Sequence, residues 1–496
     1  MTSLSDALTG LAKSAVIIFF GTVIGRVSAL LGQIVIVRSL SPSSFGTIAL
    51  AYTGILTISQ FGLLGIPKGI TRIISAEDPN YKQHDILKSG YLIAFGSSII
   101  LASIIYILRP RLADLVRNTD ITLLITLFLP IILILPISRV STAALRAQQR
   151  SLQVTVTENV VPQFVAVAVF LGFNSFQRPF SGAVAYWLVI PLTSALLALV
   201  FLSRNSLTDN FRFCLPKISA VYKLWSFSWP LAVGASLILL MSNLDVLMIG
   251  YFLDSEDVGF YRSVQPLRQV TQFVLQSFLF LFLPLATTFY SNNNLEKLRT
   301  LYTATSKWAA VLTLPPVLVF SLFAQDVVRV FFGVEYLPGA PALSILTAGL
   351  FFNVLVGPNG AMIQALDRPR LEMYAATAAL AVNILLNIYL IPLFGIVGAA
   401  SATVIGYIIF NLLEVSAIYS VSDANPFSLN TLKPLTITTV VGIAIARFTS
   451  SFTLNLPALI GIGLLLLVVQ AGAITATRSV GEADIFIYQE VMDRLK

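Results

Sequence analysis

Apolar runs long enough to cross a bilayer follow one another from residue 14 to residue 476, joined by short polar connections. A helix needs about 20 mostly apolar residues to span the hydrocarbon core. Fourteen such windows can be marked: 14–37, 46–66, 89–108, 121–138, 154–174, 182–203, 229–252, 258–286, 307–331, 340–363, 372–392, 396–419, 432–449 and 456–476. In lipid every backbone N–H and C=O must find a partner within the chain, so runs of this length are read as helices. The expected fold class is an all-α polytopic membrane protein with about fourteen transmembrane helices. Charged residues make up only 11% of the chain, against roughly 25% in ordinary soluble domains, and the mean hydropathy is +0.86. No connection is long enough to fold as a separate soluble domain. Residues 1–13 carry Asp6 and Lys13, and the run that follows contains Arg26, which reads as a first permanent span rather than a cleaved signal.

The same inventory removes several function classes. The one cysteine, Cys214, excludes an internal disulfide framework, and the one histidine, His84, removes most His-dependent metal and catalytic schemes. No G-x-x-x-x-G-K-[ST] loop occurs, so no nucleotide is hydrolysed by that route. The first outer loop, residues 38–46, has no carboxylate, and the acidic stretch Asp254-Ser-Glu-Asp257 falls within a repeated motif described below. Neither an enzyme nor a resident metal or cofactor is expected. The net charge of +8 is spread between apolar runs, which argues for topology rather than nucleic-acid binding. With the N-terminus inside, 21 Lys and Arg fall on the inner side and 7 on the outer. The positive-inside rule then puts both termini in the cytoplasm and the chain in the cell membrane.

The chain also repeats itself. Ser41-Pro-Ser-Ser-Phe-Gly46 matches Asp254-Ser-Glu-Asp-Val-Gly259, Gly182-Ala-Val-Ala185 matches Gly398-Ala-Ala-Ser401, and Ala144-Leu-Arg matches Ala365-Leu-Asp, at nearly one offset. An even number of spans per half keeps both halves in the same orientation, so the repeat is parallel. The expected organisation is an N-terminal six-helix lobe over 1–225, a C-terminal six-helix lobe over 226–422, and two further helices with a cytoplasmic tail over 423–496. Such folds place the substrate between the repeats and alternate access by rocking.

Polar residues inside apolar spans mark function by default. Arg26 lies near the middle of the first span, with Thr22 and Gln33 on its face and Gly21, Gly25 and Gly32 available for close helix approach. It is read either as a structural residue paired with a carboxylate or backbone carbonyl, or as a cavity-lining cation for an anionic substrate. In the eighth span Arg262, Gln265, Arg268, Gln269, Gln272 and Gln276 fall within about 120° of a helical wheel. Six large polar groups on one stripe do not face lipid; they form a packed polar seam or a hydrophilic cavity wall. Arginine suits bidentate phosphate recognition, and the amides suit sugar hydroxyls. Thr53, Thr57 and Gln60 form a weaker stripe on the second span, with Lys68 beyond it. Asp245, beside Asn243, is read as a counter-ion or as a coupling site for Na+ or H+. Glu158 and Glu414 lie close enough to span ends to be set aside.

These features together resemble polysaccharide flippases of the multidrug/oligosaccharidyl-lipid/polysaccharide exporter superfamily, including Wzx-type O-antigen flippases and their archaeal relatives. The likeness is carried by Arg38-Ser-Leu-Ser-Pro-Ser-Ser-Phe-Gly46, Gly62-Leu-Leu-Gly-Ile-Pro-Lys-Gly-Ile-Thr-Arg72, Phe227-Ser-Trp-Pro-Leu231, Asn243-Leu-Asp-Val-Leu-Met-Ile-Gly250, Val258-Gly-Phe-Tyr261 and Asn387-Ile-Tyr-Leu-Ile-Pro-Leu-Phe-Gly395. The resemblance implies a V-shaped transporter of two six-helix lobes plus two C-terminal helices, with spans 1, 2, 7 and 8 lining a cavity. Its implied cargo is a polyprenyl-linked oligosaccharide, and its implied partners are membrane lipids and the glycosyltransferases or polymerase of the same pathway. Arg26 looks like the cavity arginine of the lipid II flippase branch, and Asp245 resembles an aspartate common in the span-7 motif. A cation-coupled multidrug or metabolite antiporter of the same superfamily is the alternative.

Overall fold

The computed structural model describes residues 4–76, 81–204, 215–481 and 484. Cys214, Arg212 and the expected cytoplasmic tail from 485 onward lie outside the described residues. Among the described residues the structure is helical, with no strand. The chain forms two compact units, Met1–Gly259 and Phe260–Lys496.

In the first unit run α1 (Leu4–Arg38), α2 (Pro42–Gly62), α3 (Ile66–Ser75), α4 (Gln83–Leu115), α5 (Asp120–Phe128), α6 (Pro130–Ala147) and α7 (Ser151–Thr155). A π-helical turn (Val156–Val160) leads into α8 (Val161–Ser175), α9 (Pro179–Ser203) and α10 (Ile218–Phe252). Local chemistry sets the ends. Ser41 caps α2 by accepting from the Ser44 N–H at 3.3 Å, and Pro42 fills the first turn, where its missing N–H removes a donor that would be unpaired anyway. The polypeptide bends by 42° between α2 and α3. The core gathers around α3, whose Ile66, Ile70, Ile73 and Ile74 pack with Leu87 of α4, Ala144 and Leu145 of α6 and Leu224 of α10. Outward faces stay apolar: Ile100 and Ile107 of α4 are 62% and 72% exposed, as a lipid-facing surface requires.

The second unit continues with α11 (Ser255–Ser291), which begins just before the boundary, then α12 (Leu295–Leu322), α13 (Ala324–Phe332) and a 3₁₀ turn (Val334–Gly339). There follow α14 (Ala340–Leu355), α15 (Asn359–Ala365), α16 (Pro369–Ser422), α17 (Leu429–Thr449) and α18 (Leu456–Ala476). Its core joins Phe282 and Ala286 of α11, Leu301 and Tyr302 of α12, and Ala365 at the end of α15 with Leu366 just beyond it. The Ala-Leu pair repeated at 144–145 and 365–366 therefore does one job twice: each copy is buried in the core of its own unit.

The 54-residue α16 is two helices joined at Gly395, whose φ of 59° and ψ of −139° lie outside the helical region. A Cβ on Gly398 would lie 3.0 Å from the Ile391 nitrogen, and one on Gly406 would lie 3.1 Å from the Asn383 Cβ. Both contacts pair residues about equally far from position 395, so the two arms run back antiparallel as a hairpin. By length and apolar character ten helices qualify as spans, or twelve when two bent pairs each count as one. The α16 hairpin, counted once there, holds two of the fourteen windows read from the sequence. The count of fourteen stays an expectation, as do the lobe limits 1–225, 226–422 and 423–496.

The other repeated motif packs against its own copy. A Cβ on Gly46 would come within 2.8 Å of the Ser255 carbonyl carbon, and one on Gly259 within 2.8 Å of the Pro42 carbonyl carbon. Residues 42 and 46 correspond to 255 and 259 in the repeat, so the contact is reciprocal, as a local two-fold requires. Glycine is needed at both places because two helix N-termini approach backbone to backbone. Asn118 secures the crossing, donating to Ser255 Oγ at 2.8 Å and to Thr47 Oγ1 at 3.3 Å. The acidic stretch 254–257 thus sits at a structural crossing.

Candidate functional site

The polar stripe expected on the eighth span lies on α11 and divides by depth. Gln265 and Arg268 are buried, Arg262 and Gln272 half-buried, and Gln269 and Gln276 exposed. A continuous wall of equal burial is not what forms. All six lie on the Ser255–Leu279 segment of α11, before its 42° bend, so the division comes from what packs on each side of that segment. Arg268 is 7% exposed, yet among the described residues its Nε and Nη1 have no hydrogen-bond partner, nor does Gln265 Nε2. Buried donors without acceptors are rare because each forfeits its hydration.

The remaining predicted residues belong to the first unit. The glycines of α1 pack as expected: Gly21 lies on Thr155, Gly25 on Asn159 and Gly32 on Val167 and Tyr186. That closes one side of α1 and leaves Arg26 exposed on another. Asp245 of α10 is 1% exposed, and its Oδ1 accepts from the Val246 N–H at 2.9 Å. On α2, Thr53 and Thr57 are buried with no hydrogen-bond partner for either Oγ1 among the described residues.

Sequence reading passed over two regions. The first is a recess of about 620 Å3 lined by Pro67, Lys68, Thr71, Arg72, Ser75 and Ala76 of α3 with Arg146 of α6. Thr71 and Ser75 fix α3 to α6 by donating to the Ala143 and Ala147 carbonyls, each at 3.2 Å, which holds three cations around one hollow. The signal was present in Lys68-Gly-Ile-Thr-Arg72, where the basic residues lie four apart on one helix face. The second involves the two glutamates set aside. Glu158 sits on the π-helical turn between α7 and α8 and pairs with Arg146 at 2.7 Å and Arg139 at 3.6 Å. Glu414 is 2% exposed. The α16 helix continues two turns beyond it, to Ser422.

Comparison with known proteins fits this architecture. Residues 11–290 match the family described as polysaccharide biosynthesis protein, and residues 230–389 match MatE. "Probable low-salt glycan biosynthesis flippase Agl15" of Haloferax volcanii is 24% identical over 408 residues, 82% of each chain. Among solved structures, the inward closed lipid II flippase MurJ superposes with a TM-score of 0.73 at 14% identity, covering 92% of this chain and 98% of that one. An inward-facing multidrug resistance MATE family transporter of the MOP superfamily gives 0.61 at 16% identity, covering 82% and 99%. The MOP-type helical transporter fold is therefore shared. With more than half of its length matched, the chain is a member of the polysaccharide biosynthesis protein family.

Proposed function

We propose that the protein is a flippase that carries a polyprenyl-(pyro)phosphate-linked oligosaccharide from the cytoplasmic to the outer leaflet by alternating access, for surface polysaccharide or glycoprotein assembly. The observation that carries this reading is Arg268, a buried guanidinium on a membrane-spanning helix with two donors unpartnered among the described residues. A charge in that setting costs about 2.5–3.5 kcal/mol on insertion scales and marks function by default. The ligand that best repays that arrangement is a multiply charged anion such as a phosphate. The exposed amides of Gln269 and Gln276 on the same helix suit hydroxyl-rich sugar. The basic recess of Lys68, Arg72 and Arg146 supplies a second cationic surface in the first unit. Family membership and the likeness to Agl15 support the same cargo class. The reading includes a transporter rather than an enzyme, cytoplasmic termini, the cell membrane as its place, and the pathway's glycosyltransferases or polymerase as neighbours.

A second reading, a cation-coupled drug or metabolite antiporter, is favoured by one observation: the buried carboxylate of Asp245. The two are separated by reconstituting the full chain and offering either a labelled lipid-linked oligosaccharide or a lipophilic cation. The flippase reading expects transbilayer movement of the first with no uptake of the second. Drug uptake that disappears in Asp245→Asn, with no lipid movement, would replace it by the antiporter.

A further inference from the structure

One end of the second unit carries a polar hollow of about 450 Å3 that the flippase reading does not use. Helix ends build it: α12 stops at Leu322, α13 starts at Ala324, α14 starts at Ala340 and α17 stops at Thr449. The connection 450–455 between α17 and α18 closes the remaining side. Backbone N–H and C=O groups lack intrahelical partners at helix ends, so this corner is polar although the spans leading to it are apolar. Two tethers hold its shape. The Leu454 N–H donates to Asp326 Oδ1 at 3.2 Å, fastening the α17–α18 connection to α13. The Ser344 hydroxyl donates to the Ser321 carbonyl at 2.8 Å, fastening α14 to α12. The volume lies within the roughly 300–1,000 Å3 range of small-molecule sites.

The lining selects a class of ligand. Hydroxyls come from Ser321 of α12, Ser344 of α14, Thr449 of α17 and Ser450, Ser451 and Thr453 of the connection. Like Ser344, Thr449 and Ser450 give their hydrogens to backbone carbonyls, of Ile445 at 2.9 Å and Arg447 at 2.8 Å. These three therefore keep oxygen lone pairs for an incoming donor. Arg329 Nη1 donates to Asp326 Oδ1 at 2.8 Å, which balances the two charges and leaves further N–H groups on the guanidinium. Gln325, exposed on the same lining, carries both donors and an acceptor. Phe452 adds a ring that is 65% exposed. A small anion would meet Asp326, a cation would meet Arg329, and a lipid tail would strand the hydroxyls. A neutral ligand dense in hydroxyls meets none of these costs. Each of its hydroxyls donates and accepts at once, and the C–H face of a sugar ring lies against an aromatic face.

We propose that this hollow is a carbohydrate-binding site that takes the sugar rings of a glycan, with Phe452 and Gln325 among its contacts. In the topology that the flippase reading includes, Lys297 and Arg299 put the start of α12 on the inner side. The 28 residues of that helix run about 42 Å, more than the hydrocarbon core is thick, so the hollow lies at the outer end. Identifying the glycan with the cargo rests on the flippase reading: the site then holds the sugar on the side where it arrives. A free glycan and one still attached to its lipid present the same rings, and the experiment separates them.

The test is saturation-transfer difference NMR on the full-length protein in lipid nanodiscs. The probe is the oligosaccharide that mild acid releases from the lipid-linked pool of the cells that make the protein. The parent should transfer saturation to the ring protons of the probe. Phe452→Ala should weaken binding about two- to tenfold, the loss of one aromatic contact, and Phe452→Tyr should restore it. Gln325→Ala should weaken it as well; both side chains are exposed, so neither change threatens folding. Nanodiscs loaded beforehand with the intact lipid-linked oligosaccharide form the second arm. Displacement of the free probe there ties the site to the cargo, and undiminished probe binding assigns it to free glycans. No transfer in the parent, or parent affinity in both Phe452→Ala and Gln325→Ala, would overturn the proposal. Absent lipid movement in the reconstituted parent, with the probe signal intact, would count against the flippase reading alone.

Discussion

Glu158 and Glu414 are chemically the same residue in opposite settings. In the first unit Glu158 lies on a π-helical turn with two arginines at salt-bridge distance, and the neighbouring recess is basic. In the second, Glu414 lines a cavity with Glu372 and a frame of asparagines. The scaffold is shared: the repeated Ala-Leu pair is buried in each unit, and the repeated glycines meet each other reciprocally. Packing positions have been kept while charged positions have diverged.

The contrast can be broken first at the second unit's own buried cation. Lys307 is buried, but it is committed elsewhere: its Nζ donates to Asp484 Oδ2 at 2.6 Å and to the Ser479 carbonyl, and Trp308 Nε1 donates to Asp484 Oδ1 at 2.8 Å. Removing one partner of a buried ion pair leaves the other uncompensated, so Lys307→Met should destabilise by about 3–5 kcal/mol, the largest effect expected. Thermal unfolding of the full chain measures it. Lys307→Met/Asp484→Leu should regain most of the loss; a double variant no better than the single would mean that the ammonium is not what the carboxylate needs.

A smaller loss is expected at Glu158. Arg139→Ala/Arg146→Ala strips both cations from a carboxylate that is 15% exposed and should lower stability by about 1–3 kcal/mol. Adding Glu158→Gln should recover part of it. A double variant with the parent's melting temperature would show that the arginines serve the recess rather than the glutamate.

The smallest effect, and the sharpest on sign, is Glu414→Gln. Removing a buried carboxylate that has no cationic partner among the described residues should leave stability within about 1 kcal/mol of the parent or raise it. A loss as large as that of the Arg139/Arg146 double variant would mean that Glu414 has a fixed cationic partner after all, and the two units would then be alike.

Most of the fold was legible because lipid leaves few choices: apolar runs, prolines at helix starts and the repeated glycines each have one reading. The site was legible in part. The α11 stripe was found from spacing, but a wheel assumes a straight helix and says nothing of what covers it. Successive residues of a helix point about 100° apart, and packing on α11 covers Arg268 while Gln269 stays exposed. Lys307 opens the ninth apolar window, and nothing local shows that Asp484, far along the chain, buries it. Glu414 was passed over for a reason the sequence could have corrected. Asn411 and Glu414 are three apart in an apolar run, which puts both on one helix face.

The central claim, that the positive stripe of α11 serves an anionic lipid-linked sugar, rests most directly on one rate. Transbilayer movement of a labelled polyprenyl-linked oligosaccharide should be followed in proteoliposomes of the parent, Arg268→Ala and Arg268→Lys. Losing a charge-assisted contact worth about 1.5–3 kcal/mol predicts a fall of roughly ten- to a hundredfold in Arg268→Ala. Arg268→Lys should recover part of it, because the charge returns without the bidentate fork. Parent rates in Arg268→Ala, and likewise in Arg26→Ala, would contradict the account.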